Sequence, residues 1–247
     1  MMRRYVADLH VHSLLSPCAE IEMTPSNIVW HAVQHNVDIV AITDHNACDN
    51  VVAALEAAKG TSVTIVPGME VESKEEVHVI VLFEKMRQLK AWEQFTRQHM
   101  SGRLNDAERF GAQFIVDADD NFVAEKTEML LASLTVGIAE ITEQVKNLGG
   151  ICIASHVDRP TYSIISQLGF IPSDVELAAV EVSRNMSVEQ APRRIPAIGG
   201  LPIITASDAH MMDDFINGPK TVFYMEQPTL GEIRQALLAQ NLRKVVV

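Results

Sequence analysis

The chain has 247 residues, with 32 Asp and Glu against 20 Lys and Arg, a formal charge of -12 and 47% apolar residues. This is enough apolar sequence for one large domain with a substantial core, and the acidic balance argues against broad attraction to a nucleic-acid backbone, which needs Lys and Arg to displace counterions. No run reaches the roughly 18 to 20 apolar residues of a membrane span, and the lack of an apolar leader after Arg3 and Arg4 makes a cytoplasmic protein the expectation.

In chain order, short β-branched runs are each followed by a polar motif and then a helix-like stretch, the alternation of an α/β barrel. Strands are expected at Tyr5 to Val11, Asp38 to Thr43, Ser62 to Pro67, Val77 to Phe83, Ile151 to Ser155, Ala179 to Ser183 and Pro202 to Ser207, with Thr221 to Met225 a candidate for one more. Helices are expected from the Thr24-Pro25 cap, from Asn50, from Thr142 and from the Pro228-Thr229 cap.

Two places break the alternation. Glu72 to Glu76 is too short for a crossover helix, so Ser73 to Glu76 should turn a hairpin that sets the next strand beside Glu70. Residues 85-140 are charge-rich, show helical spacing at Met86, Leu89, Trp92 and Phe95, and then read as a hairpin turned at Asp119-Asp120-Asn121. Within a single domain spanning 1-247, this segment reads as an insertion, with a lid over the site as its suggested role. The three cysteines, Cys18, Cys48 and Cys152, are odd in number and irregularly spaced, which favours reduced thiols.

Almost every expected strand ends in a potential metal ligand: Asp8-Leu9-His10-Val11-His12, Thr43-Asp44-His45-Asn46, Gly68-Met69-Glu70, Glu76-Val77-His78, Ser155-His156 and Ser207-Asp208-Ala209-His210. In a parallel barrel the C-terminal strand ends converge on one mouth, and residues two apart, such as His10 and His12 or Asp208 and His210, share one face of an extended strand. Neutral imidazoles mixed with a few carboxylates suit two or three divalent ions of Zn, Mn or Fe, and paired ions suit hydrolysis of a phosphate ester. His31, His35 and His99 lie in helix-like sequence and stay outside this group.

These motifs, in this order and over nearly the whole chain, resemble the polymerase and histidinol phosphatase (PHP) domain family. The resemblance implies a distorted seven-stranded (β/α)7 TIM-like barrel, a trinuclear metal site and phosphoesterase activity. It implies one ion held by His10, His12, Glu70 and Asp208, a second by Glu70, His78 and His156 with Glu70 bridging, and a third by His45 and His210. The chain departs from the family at that third ion: where an Asp or His is usual after the first histidine pair, Pro17 stands in Ser16-Pro17-Cys18-Ala19-Glu20-Ile21-Glu22. Cys18, Glu20 or Glu22 could substitute, or the third ion could be weak or absent.

Other roles follow from side-chain chemistry. Arg159 and Arg184 could hold substrate phosphate in a bidentate fork. Asp8 and Asp44 could orient imidazoles through the ring nitrogen not used for metal. His210, placed with Glu70 and Asp208 at the reacting centre, could instead protonate the leaving group. The leading expectation is hydrolysis of a small phosphate mono- or diester such as a nucleotide, a sugar phosphate or a histidinol-phosphate-like compound. An exonuclease on short oligonucleotides is the alternative, and a metal-binding module that has lost catalysis is a third reading. Substrate identity and oligomeric state are not legible at this level.

Overall fold

The computed structural model describes residues 1–247. The first half of the chain forms β1 (Arg3–Val11), α1 (Pro25–Gln34), β2 (Ile39–Ile42), α2 (Val51–Ala57), β3 (Thr64–Glu72) and β4 (His78–Leu82). The expected insertion contains α3 (Met86–His99), α4 (Ala107–Phe110), β5 (Phe114–Val116) and β6 (Phe122–Glu125). Then come α5 (Ile138–Asn147), β7 (Ile151–Ala154), α6 (Ile164–Leu168), β8 (Ala179–Glu181), α7 (Ala191–Arg194), β9 (Ile203–Ile204), α8 (Met212–Asn217), β10 (Thr221–Met225), α9 (Leu230–Leu237) and β11 (Lys244–Val246).

Local chemistry explains the helix starts. Thr24 accepts from the Asn27 amide with Pro25 in the first turn of α1, and Thr229 accepts from the Glu232 amide at α9. The helix expected from Thr142 begins earlier, at Ile138, because its cap is tertiary: the Ile138 amide donates to Glu75 Oε2 at 3.0 Å, from the turn between β3 and β4.

The main sheet runs β11-β10-β1-β2-β3-β4-β7-β8-β9, nine strands where the sequence suggested seven. The two beyond seven are β10, the candidate at Thr221 to Met225, antiparallel on β1, and β11, which returns after α9 to lie antiparallel on β10. β4 runs against both β3 and β7, with Glu72 paired to His78, so the short turn after β3 does make the expected hairpin. The sheet curls until the segment after β9 meets β1 and β10. The His12 amide donates to the Ala209 carbonyl at 3.0 Å, the Ser207 amide to Asp8 Oδ1 at 3.1 Å, and the Thr205 amide to Thr221 Oγ1 at 2.9 Å.

Strand alternation sorts the side chains into two cores. Val40, Ile42, Met69, Val79, Val81, Cys152 and Val180 face outward into the layer shared with the helices. Ile39, Ala41, Val66, Ile80, Leu82, Ile153, Ala179 and Ile204 face inward, and Leu230, Ile233, Ala236 and Leu237 of α9 join them, so α9 plugs one end of the barrel. Each inward row starts apolar and ends in chemistry at the other mouth: Val66, Gly68, Glu70; Leu82, Ile80, His78; Ala179, Glu181. On β1 the register against β2 shifts between Asp8 and Val11, and Leu9 packs in the inner core while Val11 packs in the outer one. That irregularity puts His10 and His12 on the inner face above Leu9.

Candidate metal centre

Glu70 sits at the centre of the polar mouth, buried on β3 beside Gly68. A Cβ at residue 68 would lie 2.8 Å from Leu82 Cδ2 and 2.9 Å from Thr43 Cγ2, so glycine lets the neighbouring strands close around the carboxylate. Glu70 Oε1 faces His10 Nε2 at 3.2 Å, His78 Nδ1 at 3.3 Å and His156 Nε2 at 3.6 Å. Its Oε2 faces His45 Nδ1 at 3.2 Å and His12 Nε2 at 3.4 Å. Asp208 Oδ1 lies 3.3 Å from His10 Nε2 and 3.4 Å from His12 Nε2. Three overlapping groups of donors converge: His10, His12 and Asp208; His45, Glu70 and His78; His12, His45 and His210.

Two residues of this cluster have left-handed backbone, His156 at φ 30° and Asp208 at φ 48°, and so does Asn46, next to His45, at φ 48°; all three follow strand ends. Such conformations cost non-glycine residues energy and gather at functional sites, where surrounding structure enforces them.

The outer ring nitrogens are mostly fixed. His10 Nδ1 donates to Glu181 Oε2 at 2.8 Å. Ser16 Oγ donates to Asp44 Oδ1 at 2.7 Å, which leaves its oxygen to accept from His12 Nδ1 at 3.0 Å. His210 Nδ1 donates to the Asp208 carbonyl at 3.0 Å. In each ring the Nε2 lone pair is thereby turned toward the other donors, the arrangement metal-binding imidazoles use.

Without an ion the cluster is electrostatically strained. Burial pulls His10 down, but Glu70, Asp208 and Glu181 leave it well above its ordinary value. Burial opposes the charge on His78 too, yet Glu70 and Glu72 lift it to about 9. Burial would raise Glu70, but His78 and His10 hold it well below the usual carboxylate range, as His10 and His12 do for Asp208. Burial and then His12 press His210 down to about 4, so it is neutral at physiological pH. The buried Glu70 Oε1 and His156 Nδ1 have no hydrogen-bond partner, and Glu70 Oε1 is ringed by three imidazole nitrogens. A donor set of this kind fits divalent cations.

The remaining expected residues divide. Arg159 reaches the cluster, its guanidinium 2.6 Å from Asp208 Oδ2. Arg184 is not brought there: it is tied to Asp214 Oδ1 at 2.6 Å and to the Ser207 carbonyl. Asp8 orients no imidazole; it binds Lys220 Nζ at 3.0 Å and the Ser207 amide, locking the barrel seam. Asp44 acts on His12 only through Ser16, and it also holds the Ser13 amide and hydroxyl. Cys18, Glu20 and Glu22 belong to none of the three groups. Cys18 is exposed at the mouth, where the protein packed around it and then Glu70 and Asp208 push its thiol up to about 12. Glu181 was missed: it is one carboxylate in an apolar strand, with no motif around it, and only its inward parity with Ala179 could have marked it.

Segment 85-140 is fastened to this mouth. Asn50 donates to the Phe114 carbonyl at 3.1 Å and accepts from the Val116 amide at 3.0 Å, and Asn46 donates to the Leu130 and Ala132 carbonyls, both at 2.9 Å. Gly111, at φ 98°, packs so tightly that a Cβ there would overlap the Pro17 carbonyl oxygen.

Residues 8–186 match the family described as PHP domain. A stretch of 109 residues is 30% identical to the 5'-3' exoribonuclease Rnm of Salmonella typhimurium, covering 40% of this chain and 36% of that protein. The fold is similar to that of the lesion-specific endonuclease PfuEndoQ of Pyrococcus furiosus, with a TM-score of 0.75 at 18% identity over 99% of this chain and 58% of the other. It is also similar to a putative metal-dependent phosphoesterase of Bifidobacterium adolescentis, with a TM-score of 0.59 at 20% identity over 95% and 96% of the two chains. The chain thus spans about a third of the exoribonuclease and over half of the endonuclease.

Proposed function

Because the chain belongs to the PHP domain family, we propose that it is a metal-dependent hydrolase of phosphate esters. The observation that carries this reading is the buried Glu70 carboxylate, with three imidazole nitrogens facing one oxygen and two facing the other. His10, His12 and Asp208 are assigned to one divalent ion, His78 and His156, which face the same Glu70 oxygen, to a second that would share Glu70, and His45 and His210 to a third that would take His12 as a neighbour in place of a residue at Pro17. Zn, Mn or Fe suits this set, and bound ions of this kind polarise a phosphoryl oxygen and acidify an attacking water.

The chain's own residues do the rest. Glu181, and Asp44 through Ser16, hold two imidazoles in the tautomer that offers Nε2. His210, neutral and bound to the Asp208 carbonyl, is better suited to donate a lone pair than a proton. Arg159, about a third exposed at the rim, can exchange Asp208 for a substrate phosphate. The segment 85-140 forms a fixed wall of the mouth rather than a hinged cover, given its ties to Asn46 and Asn50.

The leading substrate class is a small or terminal phosphate ester. A nuclease is the second reading, favoured by the exoribonuclease among the relatives, and the chain's charge of -12 weighs for short rather than long nucleic acid. No helix is long and apolar enough to cross a membrane. Elemental analysis of gently purified protein, paired with phosphate release from mono- and diesters with and without Mn, tests the assignment. Two or three ions per chain, with turnover lost in His12→Ala and the fold retained, support it. No metal and no turnover return the chain to a binding module.

A further inference from the structure

Tyr162 is placed at unusual cost. It has a left-handed backbone at φ 57°, which bulky side chains rarely adopt, and its carbonyl is pinned by the His78 amide at 2.9 Å. One ring face lies on the His78 imidazole, 4.7 Å between centroids and 23° between planes, yet the residue remains 44% exposed. A ring used only for packing gains more from full burial.

Beside it opens a cavity of about 320 Å³, lined by Tyr162, Arg103, Ser101, Ser133, Leu131 and Glu72. This size suits one ring system with part of a sugar, at the small end of ligand sites. Arg103 is exposed, with its guanidinium in no ion pair. The cavity joins the metal centre through Glu72, whose Oε2 is 3.5 Å from His78 Nε2 and whose Oε1 accepts from the Ser133 hydroxyl at 2.5 Å. A planar group held here is therefore one imidazole away from the donors around Glu70.

We propose that Tyr162 and Arg103 form a subsite for the nucleobase next to the scissile phosphate, so that the ester substrate is a nucleotide. This rests on the phosphoesterase reading. The base stacks on the free face of Tyr162, extending the stack that begins at His78, and Arg103 meets the polar edge of the base or the next phosphate from across the cavity. Stacking discriminates little between bases, because each presents a π face.

The test compares kcat/KM for a nucleoside monophosphate, a 5'-phosphorylated trinucleotide and ribose 5-phosphate in the metal-loaded wild type, Tyr162→Phe, Tyr162→Ala and Arg103→Ala. The subsite predicts that Tyr162→Ala lowers the ratio of nucleotide to ribose phosphate turnover by about tenfold or more, chiefly through KM, and that Tyr162→Phe restores it. If Arg103→Ala costs only the trinucleotide, the arginine reads the next phosphate; a loss on both nucleotide substrates puts it on the base. An equal fall on all three substrates in Tyr162→Ala overturns the proposal and leaves Tyr162 as a support for His78. A wild type that turns over none of the three but hydrolyses other esters overturns the nucleotide reading alone, and one that hydrolyses no ester overturns the phosphoesterase reading beneath it.

Discussion

At the scale of single residues, the site depends as much on what holds the imidazoles as on the imidazoles. Glu181 is fully buried, and its one partner is His10 Nδ1. Glu181→Gln keeps the shape and removes the charge that fixes the His10 tautomer, so metal binding should weaken about 10- to 100-fold with the fold intact; titration against a competing chelator measures it, and an unchanged affinity sinks the role. Cys18 gives a second prediction. Its thiol is exposed, yet the protein packed around it and then Glu70 and Asp208 push it up, and Cys48 and Cys152 are buried, so iodoacetamide at pH 8 should label the metal-free native protein much more slowly than the same protein in denaturant. Modification of native Cys18 as fast as in denaturant would show that neither its packing nor the nearby carboxylates hold the thiol up. The paired histidines were legible in the sequence because two-residue spacing on a strand fixes a shared face. Glu181 and the route from Asp44 through Ser16 were not, because each depends on a contact between distant segments, 171 residues apart in the case of His10 and Glu181.

At the scale of elements, the insertion supports the mouth. Asn50, buried at the start of α2, binds Ser13 on the site loop and two backbone groups of β5 at once. Asn50→Ala strands buried partners on both sides, and a loss of about 2 kcal/mol or more is expected in urea unfolding, with protease cleavage within residues 100-125 made easier. Gly111→Ala should act at a distance. Its Cβ must displace the Pro17 backbone, and the residue must hold φ 98°, so stability falls and metal affinity falls with it, because Ser16 beside Pro17 orients His12. Lower stability with unchanged metal affinity would separate the insertion from the site. Periodicity revealed the helix at Met86–His99 and the hairpin that follows, but not their docking, since the anchors are backbone carbonyls that no sequence pattern marks. The same holds for α5, capped by Glu75 from another loop.

At the scale of the whole molecule, the barrel is an apolar plug at one end and an uncompensated cluster of charge at the other. The apolar end is self-sufficient, with α9 closing the inner core. The polar end holds Glu70 and Asp208 in ionised form only by protonating neighbours, and His78 shows the consequence: Glu70 and Glu72 overcome burial and lift it to about 9. Its folded value thus exceeds the roughly 6.5 of an unfolded chain. A raised imidazole contributes stability that is complete below about pH 6.5 and is lost as pH rises through 9. A metal ion has the opposite preference, because it needs the nitrogen unprotonated and releases the proton on binding. The metal-free protein should therefore lose Tm between about pH 6.5 and 9, while the Tm gained on adding excess Mn grows over the same interval. Differential scanning calorimetry with chelator or with Mn at several pH values in that window measures both trends. A metal-induced gain that is flat or shrinks as pH rises removes the raised imidazoles, His78 and His10 among them, from the ligand set and leaves them counter-ions of Glu70 and Asp208. A widening gain makes the ions the charge compensation that this end of the barrel is built around.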